Sequence, residues 1–172
     1  ISCTGGILEK TEFEPSLYMA LPAAETLVVP AVMNGWRGTA FDYCVKLKAI
    51  EVEEENPYYI SVDGVFYGEG QNQLLKVPNA IEVTEFVVPD TVYNIFGWSF
   101  ANCTNIQSVK MSNGVERIDG EAFKNCPALT KVVIPASVTE IFDSTFAGSE
   151  QVVIYTWSGS FAETYAKENN IT

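Results

Sequence analysis

Apolar residues recur along this chain in two rhythms at once. Within short runs they alternate with polar ones: Leu27 and Val29, Phe86 and Val88, Val109 and Met111, Val132 and Ile134. Period-two alternation belongs to a β-strand with one buried face. A longer rhythm links the runs. Phe100, Phe123 and Phe146 lie 23 residues apart, with Cys103, Cys126 and Ser149 three positions after them and Ile95, Ile118 and Ile141 five before. Val92, Val115 and Val138 stand eight before, and Pro89, Ser112 and Pro135 eleven before. An earlier unit, Pro30, Met33, Trp36, Phe41 and Cys44, falls in the same frame. A fixed period of this length marks stacked supersecondary units.

Each unit therefore reads as one coil of a solenoid. The alternating run forms one wall, and the proline after it ends the strand because it has no N–H for the ladder. The later Ile and Phe columns must also point inward, as an opposite wall built from a second short strand or a 3₁₀ turn. One coil buries too few apolar side chains to offset the entropy of ordering its own residues, so neighbours must cover its two open faces.

The regularity breaks once inside the array. From Ile50 to Phe86 the spacing is 36 residues instead of 23. The extra stretch, Asn56-Pro57-Tyr58 through Asp63-Gly64 to Phe66-Tyr67, reads as turn, strand, Asp-Gly turn and strand, which is a β-hairpin. Gly68, Gly70 and Asn72 make a loop before the run Leu74 to Val77. At the C-terminus, Ser160 and Glu163 form a capping-box pattern. Phe161, Ala162, Tyr165 and Ala166 share one helical face, and Asn169 and Asn170 suit a helix stop. The expectation is a short amphipathic helix closing the last coil. At the other end, Ile7-Leu8 and Leu17 to Leu21 read as strands that close the first coil, with Glu9, Glu12 and Glu14 between them. The organisation expected is an N-terminal capping segment over 1–24, repeats over 25–152 with the hairpin-bearing unit at about 53–89, and a helical cap over 153–172.

Charge changes the picture mainly by exclusion. The formal net charge is −12, with 10 Lys and Arg against 22 Asp and Glu. Such a surface repels a phosphate backbone, so nucleic acid is not an expected partner, nor is an anionic membrane. No apolar run approaches the roughly 18 residues that a transmembrane helix needs. The chain has no histidine, which removes Ser-His-Asp and Cys-His catalysis within it. Carboxylates are plentiful but none forms a singled-out pair. The acidic run Glu51 to Glu55 lacks the spaced ligands of a calcium loop, so neither metal nor cofactor is expected.

The four cysteines contain no C-x-x-C pair. Cys44, Cys103 and Cys126 occupy one repeat column in which Ser149 also stands, so they read as small buried residues, with Cys103 and Cys126 expected as free thiols. Asn102 and Asn125 are expected to bond to the backbone beside them. Parallel side chains on adjacent coils make poor disulfide geometry. Cys3 lies outside the repeats and fits either a lipid-anchored cysteine near a cleavage site or an ordinary one, the ordinary reading being favoured.

The string Leu129 to Ile141 with Phe146, and Glu121-Ala122-Phe123 with Asn125-Cys126 and Leu129, resemble the BspA-like bacterial leucine-rich repeat. The Asn56 to Tyr67 insertion resembles a variant unit of that family, and the stretch Ile154 to Asn170 its usual C-terminal ending. The resemblance covers roughly residues 25–172. It departs where Trp36 replaces Ile and Ser112 replaces Pro. It implies a leucine-rich-repeat solenoid on a secreted or cell-surface bacterial protein, with adhesion or protein binding as its function and no catalytic residues.

The leading functional reading is a non-enzymatic adhesion or binding module for a protein or other host-surface ligand. A structural spacer or stalk segment is the alternative, and a carboxylate-pair hydrolase comes third. The candidate contact surface is the outward face of the strand wall. Val28, Glu51, Val87, Lys110 and Val133 form one row, and Thr26, Ala49, Glu85, Ser108 and Lys131 the next. The aromatic hairpin, with Tyr58, Tyr59, Phe66 and Tyr67, is the second candidate.

Overall fold

A computed structural model describes residues 23–172. The N-terminal strands and Cys3 anticipated above lie outside the described residues. The described residues form twelve short strands, two short 3₁₀ segments (Gly38–Phe41 and Glu69–Gln71) and one α-helix. They run β1 (Thr26–Val29), β2 (Ala49–Val52), β3 (Tyr59–Val62), β4 (Val65–Gly68), β5 (Gln73–Lys76), β6 (Glu85–Val87) and β7 (Asn94–Ile95). Then follow β8 (Ser108–Lys110), β9 (Arg117–Ile118), β10 (Lys131–Val133), β11 (Glu140–Ile141), β12 (Val153–Tyr155) and the helix α1 (Phe161–Glu168).

The chain is a leucine-rich-repeat solenoid with two walls. The first wall contains the parallel sheet β6-β8-β10-β12, and the second contains β11-β9-β7-β5-β4-β3. The expected opposite wall is thus a true sheet, though each coil contributes only two residues to it at β7, β9 and β11. Between the walls the repeat columns pack as layers. Val92, Val115, Ile95, Ile118 and Phe123 are fully buried. The Phe column is stacked, with ring centroids 4.6 Å apart for Phe100 and Phe123 and 5.2 Å for Phe123 and Phe146. One coil further back Val77 holds the same position, because its N–H donates to Ser99 O just as that of Phe100 does to Ala122 O.

The hairpin is where expected. Asp63 and Gly64 both have positive φ, 51° and 76°, which is the type I′ combination a two-residue hairpin turn needs. Its location corrects one feature of the first wall. That wall was expected to be continuous from β1 to β10, yet β1 and β2 form a separate two-stranded sheet. The hairpin takes the edge of β2 that β6 would otherwise pair with. Ile50 N–H donates to Gly64 O at 2.8 Å, and Val52 N–H to Ser61 Oγ at 3.0 Å. A backbone donor bonded to the hairpin cannot also bond to the next coil.

The interior is divided accordingly. One apolar cluster joins Leu27, Phe41, Leu47 and Ile50 to Phe66 and Leu75, and the larger one runs from Val65 and Leu74 to the C-terminal helix. Strand β5 belongs to both, with Leu74 on one side and Leu75 on the other. Lys48 adds a surface tie across the junction, pairing with Glu25 at 3.3 Å and Glu82 at 2.9 Å.

Helix α1 closes the last coil. Ser160 Oγ accepts from Glu163 N–H at 3.2 Å, while the Glu163 carboxylate accepts from Gly159 N–H at 2.6 Å. Ala162, Tyr165 and Ala166 are buried, and the Tyr165 ring lies 6.3 Å from Phe146 at the end of the aromatic stack. Phe161 departs from the expectation: it is 45 % exposed. It is the first helical residue, on the rim of the buried face, where no coil lies beyond it to cover the ring. Deleting residues 158–172 should lower the melting midpoint. Tyr165→Ala alone should cost about 3 kcal/mol, a drop of roughly 6–12 °C by calorimetry. An unchanged midpoint in either variant would remove the capping role.

Candidate functional site

The outward rows of the first wall form as the alternation requires. Pairing sets Glu85, Ser108, Lys131 and Val153 in one row, and Val87, Lys110, Val133 and Tyr155 in the other. Thr26 pairs with Ala49 and Val28 with Glu51 in the separate leading sheet. Val87 is 67 % exposed and Tyr155 52 %. Val28 and Val133 are half-buried, and Glu51, Glu85, Lys110 and Lys131 are exposed. The Lys131 ammonium sits 5.3 Å from the Tyr155 ring centroid. Sequence reasoning missed Val153 and Tyr155. Strand β12 follows β10 after 22 residues, not 23, so the alternating run Val153-Ile154-Tyr155 fell outside the frame. The alternation itself was a usable signal.

The hairpin divides its aromatics. Tyr58 is exposed and Tyr59 half-buried, consistent with a contact role. Tyr67 is not available to a partner: only 3 % of it is exposed, and burial pushes its hydroxyl pKa up to about 12. Phe66 is fully buried. All four β4 residues are covered because β4 lies between the two apolar clusters, with Val65 and Tyr67 on one face and Phe66 on the other, and has strands paired on both edges. Where the hairpin meets the first coil lies a cleft of about 360 Å³, lined by Trp36, Tyr58, Tyr59 and Phe96 with Glu69, Asn72 and Gln73.

The cysteine column is a hydrogen-bond ladder. Cys126 Sγ donates to Phe100 O at 3.1 Å, and Ser149 Oγ to Phe123 O at 2.6 Å, one coil on. Cys103 Sγ approaches Val77 O and Pro78 O at 3.7 Å. Each side chain thus satisfies a carbonyl at the Phe column of the coil before it, and Ser149 can replace Cys because either supplies the donor. Cys103 and Cys126 are free thiols. Burial raises the thiol pKa to about 12 at Cys103 and about 11 at Cys44 and Cys126. Among the described residues no group of three His, Cys, Asp or Glu side chains is placed to hold a metal ion. The asparagines have a different role from the one expected. Asn102 and Asn125 take positive φ, 63° and 52°, and Gly148 takes 73° at the same position of the next coil. The left-handed turn selects Asn or Gly there. Their amides bond to one another, Asn125 Nδ2 to Asn102 Oδ1 at 3.4 Å.

One buried ion was not anticipated. Lys76 is fully buried, and its Nζ donates to Ala101 O at 2.8 Å and Trp98 O at 3.3 Å. Burial pushes its pKa down, partly opposed by Cys103, Asp42, Cys126 and Cys44. In the neighbouring coils Ser99, Ala122 and Thr145 stand at this position. The alternation Leu74, Lys76 within β5 placed the lysine on the inward face, which is the sequence signal that could have found it.

These geometries can be set beside known proteins. The family model for the BspA-type leucine-rich repeat region, six copies, matches residues 77–167. The chain belongs to that family. No curated protein matches it. Among solved structures, a leucine-rich repeat protein from Eubacterium ventriosum superposes with TM-score 0.69 at 25 % identity, over 78 % of this chain and 37 % of its own. The pneumococcal vaccine antigen PcpA does so at TM-score 0.54 and 18 % identity, over 84 % of this chain and 53 % of its own. A leucine-rich cell surface protein from Faecalibacterium prausnitzii A2-165 gives TM-score 0.50 and 23 % identity, over 84 % and 50 %. This BspA-type repeat chain therefore spans between about a third and a half of those proteins, and the last two likenesses speak to fold alone. No helix among the described residues is long and apolar enough to cross a membrane.

Two outcomes test the interior of this BspA-type array. Cys126→Ser should keep stability within about 1 kcal/mol, whereas Ser149→Ala strands Cys126 N–H and Phe123 O and should cost about 1–3 kcal/mol in urea titration. Lys76 has a depressed folded pKa, so the folded chain holds fewer protons there than the unfolded chain, and its contribution to stability rises with pH below about 10.4. The raised thiols act oppositely above about pH 8.5. The stability of Lys76→Met relative to the parent should therefore fall as the pH rises from the lowered folded pKa towards the unfolded value of about 10.4. A difference independent of pH would mean that Lys76 stays charged in the fold.

Proposed function

We propose that the chain is a non-enzymatic binding module of a bacterial cell-surface protein, and that the first wall is its contact surface for a protein ligand. The observation that carries this reading is the row Val87, Lys110, Val133 and Tyr155. It places apolar and aromatic groups in solvent on a rigid sheet, in a protein with net charge −12. Exposed apolar residues grouped on a sheet face fit an interface, and aromatic residues are enriched at such surfaces. Lys110 and Lys131 add local positive charge, which favours an acidic, partly apolar partner. Glu51, Glu85 and Val28 frame the row, and Tyr58 and Tyr59 lie on the hairpin beyond it. Membership of the BspA-type family supports the reading.

The test uses fluorescently labelled chain on epithelial cell monolayers. Saturable binding is expected, abolished by prior trypsin treatment of the cells and reduced at least about tenfold by Val87→Lys with Val133→Lys. Both positions face outward, so circular dichroism and the melting midpoint should be unchanged. Persistent binding of the double variant would move the site off the wall. A complete lack of saturable binding would favour a spacer or stalk instead.

A further inference from the structure

We infer that the cleft between the first coil and the hairpin is a binding site for a neutral saccharide. This site is separate from the first wall and stands or falls independently of it. Its volume, about 360 Å³, lies within the roughly 300–1,000 Å³ of small-molecule sites. Four aromatic side chains line it: Trp36, Tyr58, Tyr59 and Phe96. Two of them are braced from behind by the buried Phe66, which lies 5.0 Å from the Trp36 ring and 5.0 Å from the Tyr59 ring. Phe41 adds a second brace to Trp36, also at 5.0 Å. A ligand meeting rings already held in place loses less on binding than one that must order them.

The polar complement selects the ligand. Gln73 uses Nε2 to donate to the Tyr93 hydroxyl at 2.8 Å, which leaves its Oε1 available. Among the described residues the side chains of Asn72 and Glu69 have no hydrogen-bond or ion-pair partner. The cleft therefore presents donors and acceptors together, beside apolar ring faces. Adjacent sugar hydroxyls both donate and accept, while the C–H face of a pyranose packs on an aromatic ring. An organic cation would suit the rings and Glu69, but it gives the exposed Asn72 amide N–H nothing to bond to. An anion would face Glu69, with no Lys or Arg in the lining.

The location strengthens the case. Trp36 stands in the column where the other coils carry Ile95, Ile118 and Ile141, and the hairpin occurs in one unit only. Both departures from the repeat meet at this cleft. Local rule-breaking that converges on one concavity is where function is expected in an otherwise regular array.

The experiment titrates the 172-residue chain with maltose, cellobiose, lactose and N,N′-diacetylchitobiose, read by tryptophan fluorescence and saturation-transfer NMR. At least one disaccharide should bind saturably. Tyr58→Ala and Asn72→Ala should each weaken that binding about tenfold. Both residues are exposed, so the melting midpoint should not move, and Tyr155→Ala on the first wall should bind as the parent does. The proposal is overturned if none of the four saturates by about 50 mM, or if the cleft variants bind as the parent. It is equally overturned if tetramethylammonium or a hexaproline peptide binds the cleft in preference to all four sugars.

Discussion

Every coil of this protein leaves two apolar faces and two rows of backbone polar groups open, and only a neighbour of matching height closes them. Most of the structure follows from that demand. The 23-residue period keeps strand above strand, Phe ring above Phe ring, and each thiol or hydroxyl of the Cys103 column above a carbonyl of the coil before. Where a coil has no successor, the demand is met by other means. Tyr165 covers the Phe146 ring, and Ile154 N–H donates to Thr172 O at 2.8 Å.

The inward columns were legible in the sequence because burial constrains residue type at every recurrence. Val138, Ile141 and Phe146 each repeat a requirement met 23 residues earlier by Val115, Ile118 and Phe123. The hairpin was legible from Asp63-Gly64, since few dipeptides tolerate two successive positive φ angles. The helix was legible from Ser160, Glu163 and its apolar face. What escaped notice depends on contacts distant in sequence. The loss of pairing between β2 and β6 results from Gly64 and Ser61 accepting the β2 N–H groups, and nothing in the alternation of Ile50 and Val52 announces it. Tyr67 and Tyr58 look alike in sequence, yet one is central in a three-stranded segment and the other lies on a rim. The candidate site is thus half legible: the wall rows came from alternation, whereas the cleft needed Trp36 and Tyr58, 22 residues apart, to be brought together.

Lys76 shows how the junction between the two apolar clusters differs from the rest. Elsewhere in its column the side chains are small, and Thr145 Oγ1 bonds Phe142 O and Asp119 O. At β5 the long amine reaches Ala101 O and Trp98 O, the latter also accepting from Ala101 N–H. A buried amine is tolerated there because its donors have acceptors, and Asp42 and the neighbouring cysteines partly oppose the downward push of burial on its pKa. The junction thus adds a buried polar tie to apolar packing, whereas the Phe column beyond it is apolar stacking alone.

The interruption of the first wall sets the architecture of growth. Past β6 the coils are interchangeable in outline, each seating on the one before through the same ladder. A lineage can add or delete such coils and change only the reach of the array. The hairpin, the first coil and the cleft between them lie upstream of that variable region and keep their geometry whatever its length. The protein thus separates a part that can be measured out in units from a part that cannot, and the seam between them is the edge of β2.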